Sequence, residues 1–347
     1  SGFQSEVQVT ATRGVEEPRT GLPQGTSVVS RSQIDARRFQ LLPQALSAEP
    51  GILVQQTTSA QASPTIRGFT GSANVYLLDG VRFNLSSWRG GPSQYMAWVN
   101  AAAVDRLEVV RGPASVQYGS DALGGTVNVV TSQPTFALGG MRYGGDVTAA
   151  FGSAGSSTGG GANLLVQGRN AAFRFGLSGR TVGDLRAGKG LDSHAAVTRF
   201  FDISSNVNGS KMPSTGYEQT GGYLNGQIRA GEKGTVNIRY MHERQTGASR
   251  YDRIDGGAGL YRSGFDPQEL DFALVRYERR ASLGFDSISG TFSINRQADG
   301  TSEQTRPTTV IDRQRAVNQA YGYQLDAQRR IGMRQQFSVG TELYDER

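Results

Sequence analysis

Beyond Pro134 apolar and polar residues exchange places at almost every step, and that period of two leaves few folds open. Val147, Ala149 and Phe151 share one side of a segment whose other side is Asp146, Thr148 and Ala150. Ala162, Leu164 and Val166 oppose Asn163, Gln167 and Arg169, and Phe173, Phe175 and Leu177 oppose Arg174, Ser178 and Arg180. Leu224 and Ile228 oppose Asn225 and Gln227, and Val236, Ile238 and Tyr240 oppose Asn237, Arg239 and Glu243. The same alternation sets Ala273, Val275 and Tyr277 against Arg276, Glu278 and Arg280, and Phe292 and Ile294 against Ser293 and Asn295. It closes with Tyr321, Tyr323 and Leu325 against Gln324 and Asp326, then Phe337, Val339 and Leu343 against Gln336, Ser338 and Glu342. The pattern predicts about nine strands of roughly 8 to 13 residues, each with one apolar and one polar face. Tight connections near Asn170, Glu232, Asp286 and Met333 alternate with long polar ones at 182–217, 245–269 and 298–318. Short turns at one end and long loops at the other describe a transmembrane barrel, whose tilted strands need about ten residues to cross. A two-layer sandwich also alternates, but it gives no reason for loop lengths to alternate.

Composition narrows the alternatives. Among 347 residues there is no cysteine, which removes disulfides, thiolate metal sites and a cysteine nucleophile. His194 and His242 are the two histidines, too few for a histidine-rich metal cage. No apolar run approaches the ~18 to 20 residues of a spanning helix. Thirty-six basic against 30 acidic residues give a net charge of +6 without a dense basic cluster, so nucleic acid is not an expected partner.

Before Pro134 the grammar differs, with short irregular apolar runs broken by glycine, proline and single charges. Ser32 stands as an N-cap before Ile34-Asp35-Ala36-Arg37-Arg38-Phe39, and Pro43 opens a second helical piece that Pro50-Gly51 stops. Ile52-Leu53-Val54, Val75-Tyr76-Leu77-Leu78, 104–111 and 126–131 read as short strands, and Asp79-Gly80 as a turn. This is a small α+β domain, and by itself it supports no function. No phosphate-cradling Gly-x-x-x-x-Gly-Lys-Ser/Thr run occurs, and no catalytic triad is placed.

Four motifs stand in order here: Pro64-Thr65-Ile66-Arg67-Gly68-Phe69; Tyr76-Leu77-Leu78-Asp79-Gly80-Val81; Val104-Asp105-Arg106-Leu107-Glu108-Val109-Val110-Arg111-Gly112-Pro113; and Tyr118-Gly119-Ser120-Asp121-Ala122-Leu123-Gly124-Gly125-Thr126-Val127-Asn128. Together they resemble the plug domain of TonB-dependent outer-membrane transporters. The resemblance implies an α+β plug inside a transmembrane antiparallel β-barrel of the 22-stranded type, divided as 1–15 (TonB box and N-terminal extension), 16–134 (plug) and 135–347 (first part of the barrel). The implied function is plug-gated, TonB-dependent active transport across the bacterial outer membrane, with no bond chemistry and no resident cofactor. An iron–siderophore chelate is the expected cargo, with cobalamin, haem or a glycan as alternatives. A non-transporting plugged-barrel subunit or scaffold is the rival role.

Residue by residue, Glu6-Val7-Gln8-Val9-Thr10-Ala11-Thr12 resembles the TonB box, an extended segment able to add a strand to TonB of the TonB–ExbB–ExbD system. The resemblance turns the loop 83–99 and Arg67 toward the outside. Trp88, Arg89, Tyr95 and Trp98 are then ligand contacts, aromatic and cationic groups suited to a rigid anionic chelate. The two tryptophans can equally pack plug against barrel. Arg106, Glu108 and Arg111, with Arg67, are expected to lock plug to barrel through ion pairs. The lipid and lipopolysaccharide of the outer membrane are the remaining partners. About 213 residues follow Pro134, too few for 22 strands of ~10 residues with their loops. The expectation is that further strands come from a missing C-terminal part or a second chain, with Arg347 at the external surface.

Overall fold

The computed structural model describes residues 8–9, 17–18, 25–37, 39–113, 121–186, 215–250, 253, 260–332 and 335–347. Before the barrel come β1 (Gln8–Val9), β2 (Glu17–Pro18), β3 (Gly25–Ser30), α1 (Arg31–Arg37), β4 (Ile52–Thr58), β5 (Gln61–Ile66), β6 (Asn74–Leu78), β7 (Val81–Arg82), β8 (Val104–Arg111) and β9 (Gly125–Thr131). β1 pairs with β2, and β4 with β5. A five-stranded sheet runs in the order β3-β8-β9-β6-β7, antiparallel except where β6 meets β9.

Local chemistry explains most boundaries. Helix α1 starts at Arg31 rather than after Ser32, because Ser30 and Gln33 cap each other: the Ser30 N–H donates to Gln33 Oε1 at 2.8 Å and the Gln33 N–H to Ser30 Oγ at 3.4 Å. The second helical piece is a 3-10 turn, Leu42–Leu46, with Pro43 in its first turn, and Gly51 (φ +72°) redirects the chain after it. Asp79 (φ +51°) and Gly80 (φ +79°) form the two-residue turn between β6 and β7, the left-handed pair a tight hairpin requires.

The second half is one antiparallel meander: β10 (Arg142–Gly152), β11 (Ser157–Gln167), β12 (Ala171–Val182), β13 (Tyr217–Arg229), β14 (Gly234–Thr246), β16 (Arg262–Ser282), β17 (Phe285–Gln304), β18 (Asp312–Ile331) and β19 (Gln335–Glu346). The short β15 (Ala248–Ser249) adds to β16. Among the described residues nine long strands therefore stand where about nine were expected. Three run farther than the alternation alone suggests, with β16, β17 and β18 at 20 or 21 residues. They outreach the ~10 residues that a tilted strand needs to cross a bilayer.

Two connections of the meander are tight turns. The glycine-rich run 159–161 is strand, with Gly159, Gly160 and Gly161 opposite Ala150, Ala149 and Thr148. Ladder hydrogen bonds need only backbone, and the turn 153–156 before it is a single 3-10 turn. The hairpin near Asp286 turns at Leu283-Gly284 instead (φ +52° and +80°), leaving Asp286 on β17 to accept from the Arg330 N–H at 2.6 Å.

Side-chain direction decides between barrel and sandwich. The apolar face points out: Val147 is 84% exposed and Leu177 73%. The polar face points in, where Asn225 and Gln245 are each 1% exposed against the plug. A sandwich buries its apolar face, whereas a membrane barrel turns it to lipid and keeps a polar lumen. Inward apolar exceptions include Leu270, Phe272, Leu274, Tyr223 and Met241, and they join Trp98, Tyr76 and Leu107 of the plug in one hydrophobic cluster.

Candidate functional site

The loop after β7 crosses to the wall strand β17. The Phe83 carbonyl accepts from Asn295 Nδ2 and Gln297 Nε2, each at 3.0 Å, and pins the start of the loop. Trp88 stacks on Tyr95 with ring centroids 4.4 Å apart and planes at 14°, while Phe83 meets Trp88 edge-on and Trp98 meets Tyr95 edge-on. Its indole N–H donates to Gln297 Oε1 at 2.7 Å.

Asp299 gathers the polar groups at the outer end of this stack. Its carboxylate accepts from Arg89 Nη2 at 2.7 Å, Tyr95 Oη at 3.2 Å and Gln268 Nε2 at 2.7 Å. The Arg89 guanidinium also lies 4.2 Å from the centroid of the Phe265 ring. Burial raises the Tyr95 phenol above its ordinary pKa, and the neighbouring Asp299 charge adds to this. It is therefore a neutral donor throughout the physiological range. Beside these groups opens a cavity of about 320 Å³ lined by Ser87, Arg89, Tyr95, Gln297, Asp299 and Thr301, with Gln314 to Ala316 of β18 closing its far side. It lies toward the loop end, where β17 and β18 approach the connection 305–311.

Of the ligand contacts expected from sequence, Arg89 and Tyr95 line the cavity. Trp88 backs Tyr95 from behind. Trp98, 1% exposed, is a core residue of the plug, so its expected ligand role gives way to packing. Arg67 belongs elsewhere: it occupies the two-residue turn after β5 (φ +51°), with its guanidinium over Gly112 and Gly25 at the end of β8 and start of β3. Asp299, Gln297, Gln268 and Phe265 escaped sequence reasoning. Their one signal is parity, since inward positions of β17 carry on as Gln297, Asp299 and Thr301 beyond the clear alternation.

The expected locking residues also resolve differently. Arg106 pairs with Asp105 and with fully buried Glu108, which accepts from Asn128 as well, so these bonds stay inside the plug sheet. Arg111 donates to Ser27 Oγ at 2.6 Å, again within the plug. Among the described residues, bonds that cross to the wall include those of Arg239, Arg276 and Asn100. Arg239 reaches Asp79 and Thr131, Arg276 Nη2 donates to the Asp79 carbonyl at 2.7 Å, and Asn100 Nδ2 donates to Glu243 Oε1 at 2.5 Å. Of the segment 6–12, Gln8 and Val9 pair with Pro18 and Glu17, while Glu6, Val7, Thr10, Ala11 and Thr12 lie outside the described residues, as does His194. His242 faces the outer wall, paired with Asp271.

Comparison with known proteins adds three findings. A family model described as TonB-dependent Receptor Plug Domain matches residues 18–126. A vitamin B12 transporter, BtuB of Vibrio vulnificus (strain CMCP6), is 37% identical over 128 residues, which cover 36% of this chain and 20% of that protein. The fold is shared with the copper transporter OprC (TM-score 0.71, 15% identity, 92% of this chain and 46% of that one). It is shared too with a mutant of the ferric enterobactin receptor PfeA of Pseudomonas aeruginosa (TM-score 0.68, 18% identity, 98% and 50%). A third likeness is to a double mutant of the Serratia marcescens hemophore receptor HasR (TM-score 0.72, 17% identity, 93% and 45%). The chain thus spans about half the length of these solved structures.

Proposed function

We propose, for a chain that carries the plug domain and nine barrel strands of a TonB-dependent receptor, that it serves active uptake of a ferric-siderophore-class chelate across the bacterial outer membrane. The observation that carries this reading is the cavity where Arg89 and Tyr95 of the plug meet Asp299 of the wall. An anionic chelate entering from the loop end competes with Asp299 for the Arg89 guanidinium, a group suited to bidentate carboxylate or catecholate oxygens. Tyr95 and the stacked Trp88 supply a flat aromatic flank. Withdrawing Arg89 from Asp299 removes one of the bonds that hold the plug loop to β17. Ligand binding and plug loosening are then one event. The segment 6–12 presents an extended strand to TonB, whose pull opens the loosened plug.

The test is equilibrium binding to the full receptor with five probes: a ferric tris-catecholate, a ferric tris-hydroxamate, cyanocobalamin, haemin and a maltodextrin. One of the two ferric chelates is expected to bind, and Arg89→Ala to weaken it by about tenfold. Binding of cyanocobalamin, haemin or the glycan alone would replace the cargo while keeping the class. Binding that is indifferent to Arg89→Ala would move the site elsewhere.

A further inference from the structure

The plug is fastened unevenly to its wall. Among the described residues, β14 to β19 hold it at many points: Arg239 and Arg276 at Asp79, Asn295 and Gln297 at the Phe83 carbonyl, Asp299 at Arg89. Glu346 of β19 accepts from the Ser86 N–H and hydroxyl, each at 2.7 Å. Toward β12 the plug reaches through Asn100, whose Nδ2 donates to Ser178 Oγ at 2.9 Å. Inward side chains follow the same division. Gln245 and Gln268 are each 1% exposed, whereas Arg174 of β12 and Asp146 of β10, also inward, are 28% and 50% exposed.

A cavity of about 190 Å³ lies on the weakly fastened side, between plug segments 40–42 and 97–102 and the wall positions Thr148, Gly161 and Ser178. Those three share one inward row, and the next inward row toward the turn end is Asp146, Asn163, Gly176 and Tyr223. Tyr223 dominates that second row. Its ring lies across Gly176, where any side chain would collide with it. Its hydroxyl donates to Asn163 Oδ1 at 2.6 Å and accepts from Arg174 Nε at 3.1 Å. A tyrosine of β13 thus reaches over β12 to β11, and the same side chain joins the hydrophobic cluster of the plug. It forms the floor of the cavity, and beyond it stands the partly exposed Arg174.

We infer that the way past the plug for a hydrophilic cargo runs between the plug and β10, β11 and β12, and that Tyr223 is the barrier residue that closes it. Moving the ring off Gly176 breaks two hydrogen bonds and its contacts with the plug, so a plug drawn away from β12 frees the ring. Gly176 then leaves a bare stretch of wall in its place. Release of Arg89 from Asp299 keeps the bonds at Phe83, Asp79 and Ser86, which hold the plug on the opposite side. The inference rests on the reading of this chain as part of a transporter.

The experiment measures leakage of a chromogenic cephalosporin through the full receptor in cells lacking TonB, read by a periplasmic β-lactamase. Tyr223→Ala should raise entry several-fold, and Tyr223→Phe, which keeps the ring, should raise it less. Phe272→Ala is the control, because Phe272 lies in the same inward row and the same cluster but on the fastened side. It should leave entry unchanged. No rise with Tyr223→Ala, or an equal rise with Phe272→Ala, overturns the barrier. Should Tyr223→Ala not assemble, Tyr223→Leu carries the same test with a smaller rise expected. Transport is read separately in cells with TonB, using introduced cysteine pairs closed by a short bifunctional thiol reagent. Asn100→Cys/Ser178→Cys should lose uptake of the ferric chelate on cross-linking, whereas Ser86→Cys/Glu346→Cys should keep it. Equal effects of the two cross-links overturn the side assigned to the passage. Leakage through Tyr223→Ala with no uptake of any of the five probes by the unmodified receptor overturns the transport reading and leaves the barrier standing.

Discussion

The carboxylate of Asp79 lies 3.6 Å from Nε of Arg239, joining plug to wall through two side chains that are each under a tenth exposed. Asp79 is held from three directions. Its carboxylate accepts from the Thr131 N–H at 2.8 Å and hydroxyl at 2.7 Å, and its carbonyl from Arg276. The turn between β6 and β7, the end of β9 and two wall strands therefore converge on one residue. A charge buried this deeply is costly once its partner is removed.

Asp79→Asn keeps the left-handed turn, which asparagine tolerates, and removes the charge. It should destabilise plug docking by about 3 kcal/mol, because Arg239 is left buried beside a neutral amide. Both tryptophans of these 347 residues, Trp88 and Trp98, lie in the plug, so their fluorescence during thermal melting reports the plug. A lower plug transition is expected, with partial recovery in Asp79→Asn/Arg239→Gln. An unchanged transition in the single variant would remove Asp79 from the lock.

Trp88 separates packing from hydrogen bonding. Trp88→Phe keeps an aromatic ring against Tyr95 and loses the bond to Gln297, at a cost of about 1 kcal/mol. Trp88→Ala empties the stack and should cost about 3 to 5 kcal/mol. Urea titration followed by Trp98 emission measures both, and equal costs would show the indole N–H to be the dominant contribution.

Much of this architecture is legible in the residues, and the exceptions have physical causes. Val104–Arg111 forms the strand its apolar spacing suggests, and Asp79-Gly80 forms the turn its chemistry requires. The glycines at 159–161 say little by themselves, because a loop and a close-packed strand both favour small residues, and only the neighbouring strand distinguishes them. Trp98 illustrates a different limit. Its neighbours in sequence mark an aromatic-rich loop, but whether an aromatic faces a cavity or the core depends on how the loop folds back. Asp299 is harder still. It sits among Ala298, Gly300 and Thr301, where alternation has lapsed, and its importance comes from Arg89 and Tyr95, some two hundred residues earlier.

Tyr95 should reveal itself through alkaline stability. Burial, then the Asp299 charge, hold its folded-state pKa above the unfolded value near 10. An unfolded chain thus loses the proton first as pH rises, and from about pH 10 upward it binds fewer protons than the folded one. Stability is level below that point and falls above it. Tyr95→Phe should flatten this fall between about pH 10 and 11 in plug melting, while buried Tyr76, also raised by burial, leaves a residual slope. A variant with an undiminished slope would place Tyr95 in water.

Val9→Pro distinguishes a transporter from a passive subunit. Proline removes one backbone donor from a segment proposed to pair with TonB's sheet edge. Ligand binding at the loop end should be unchanged, because Val9 is remote from Arg89 in sequence and belongs to the separate β1–β2 pair. Uptake by whole cells should fall to the level of cells lacking TonB. Normal uptake would leave the segment without a role in energy coupling.

Leu325→Arg tests which solvent the outer wall meets. Leu325 is 61% exposed on β18, and its cross-strand neighbours are Gly290 and Thr341. In water an exposed leucine replaced by arginine is close to neutral, since no buried apolar contact is lost. In the middle of a bilayer the same change costs about 2 to 4 kcal/mol. The sign and size of the effect therefore report the medium directly. Folding of the full receptor into phospholipid vesicles, followed by urea titration, should show the larger cost for Leu325→Arg. The cost should shrink at Gln319→Arg, which lies on the same outward face nearer the loop end, level with Arg296. Equal costs at the two positions would contradict a depth-dependent lipid environment, and with it the assignment of the apolar face to the membrane.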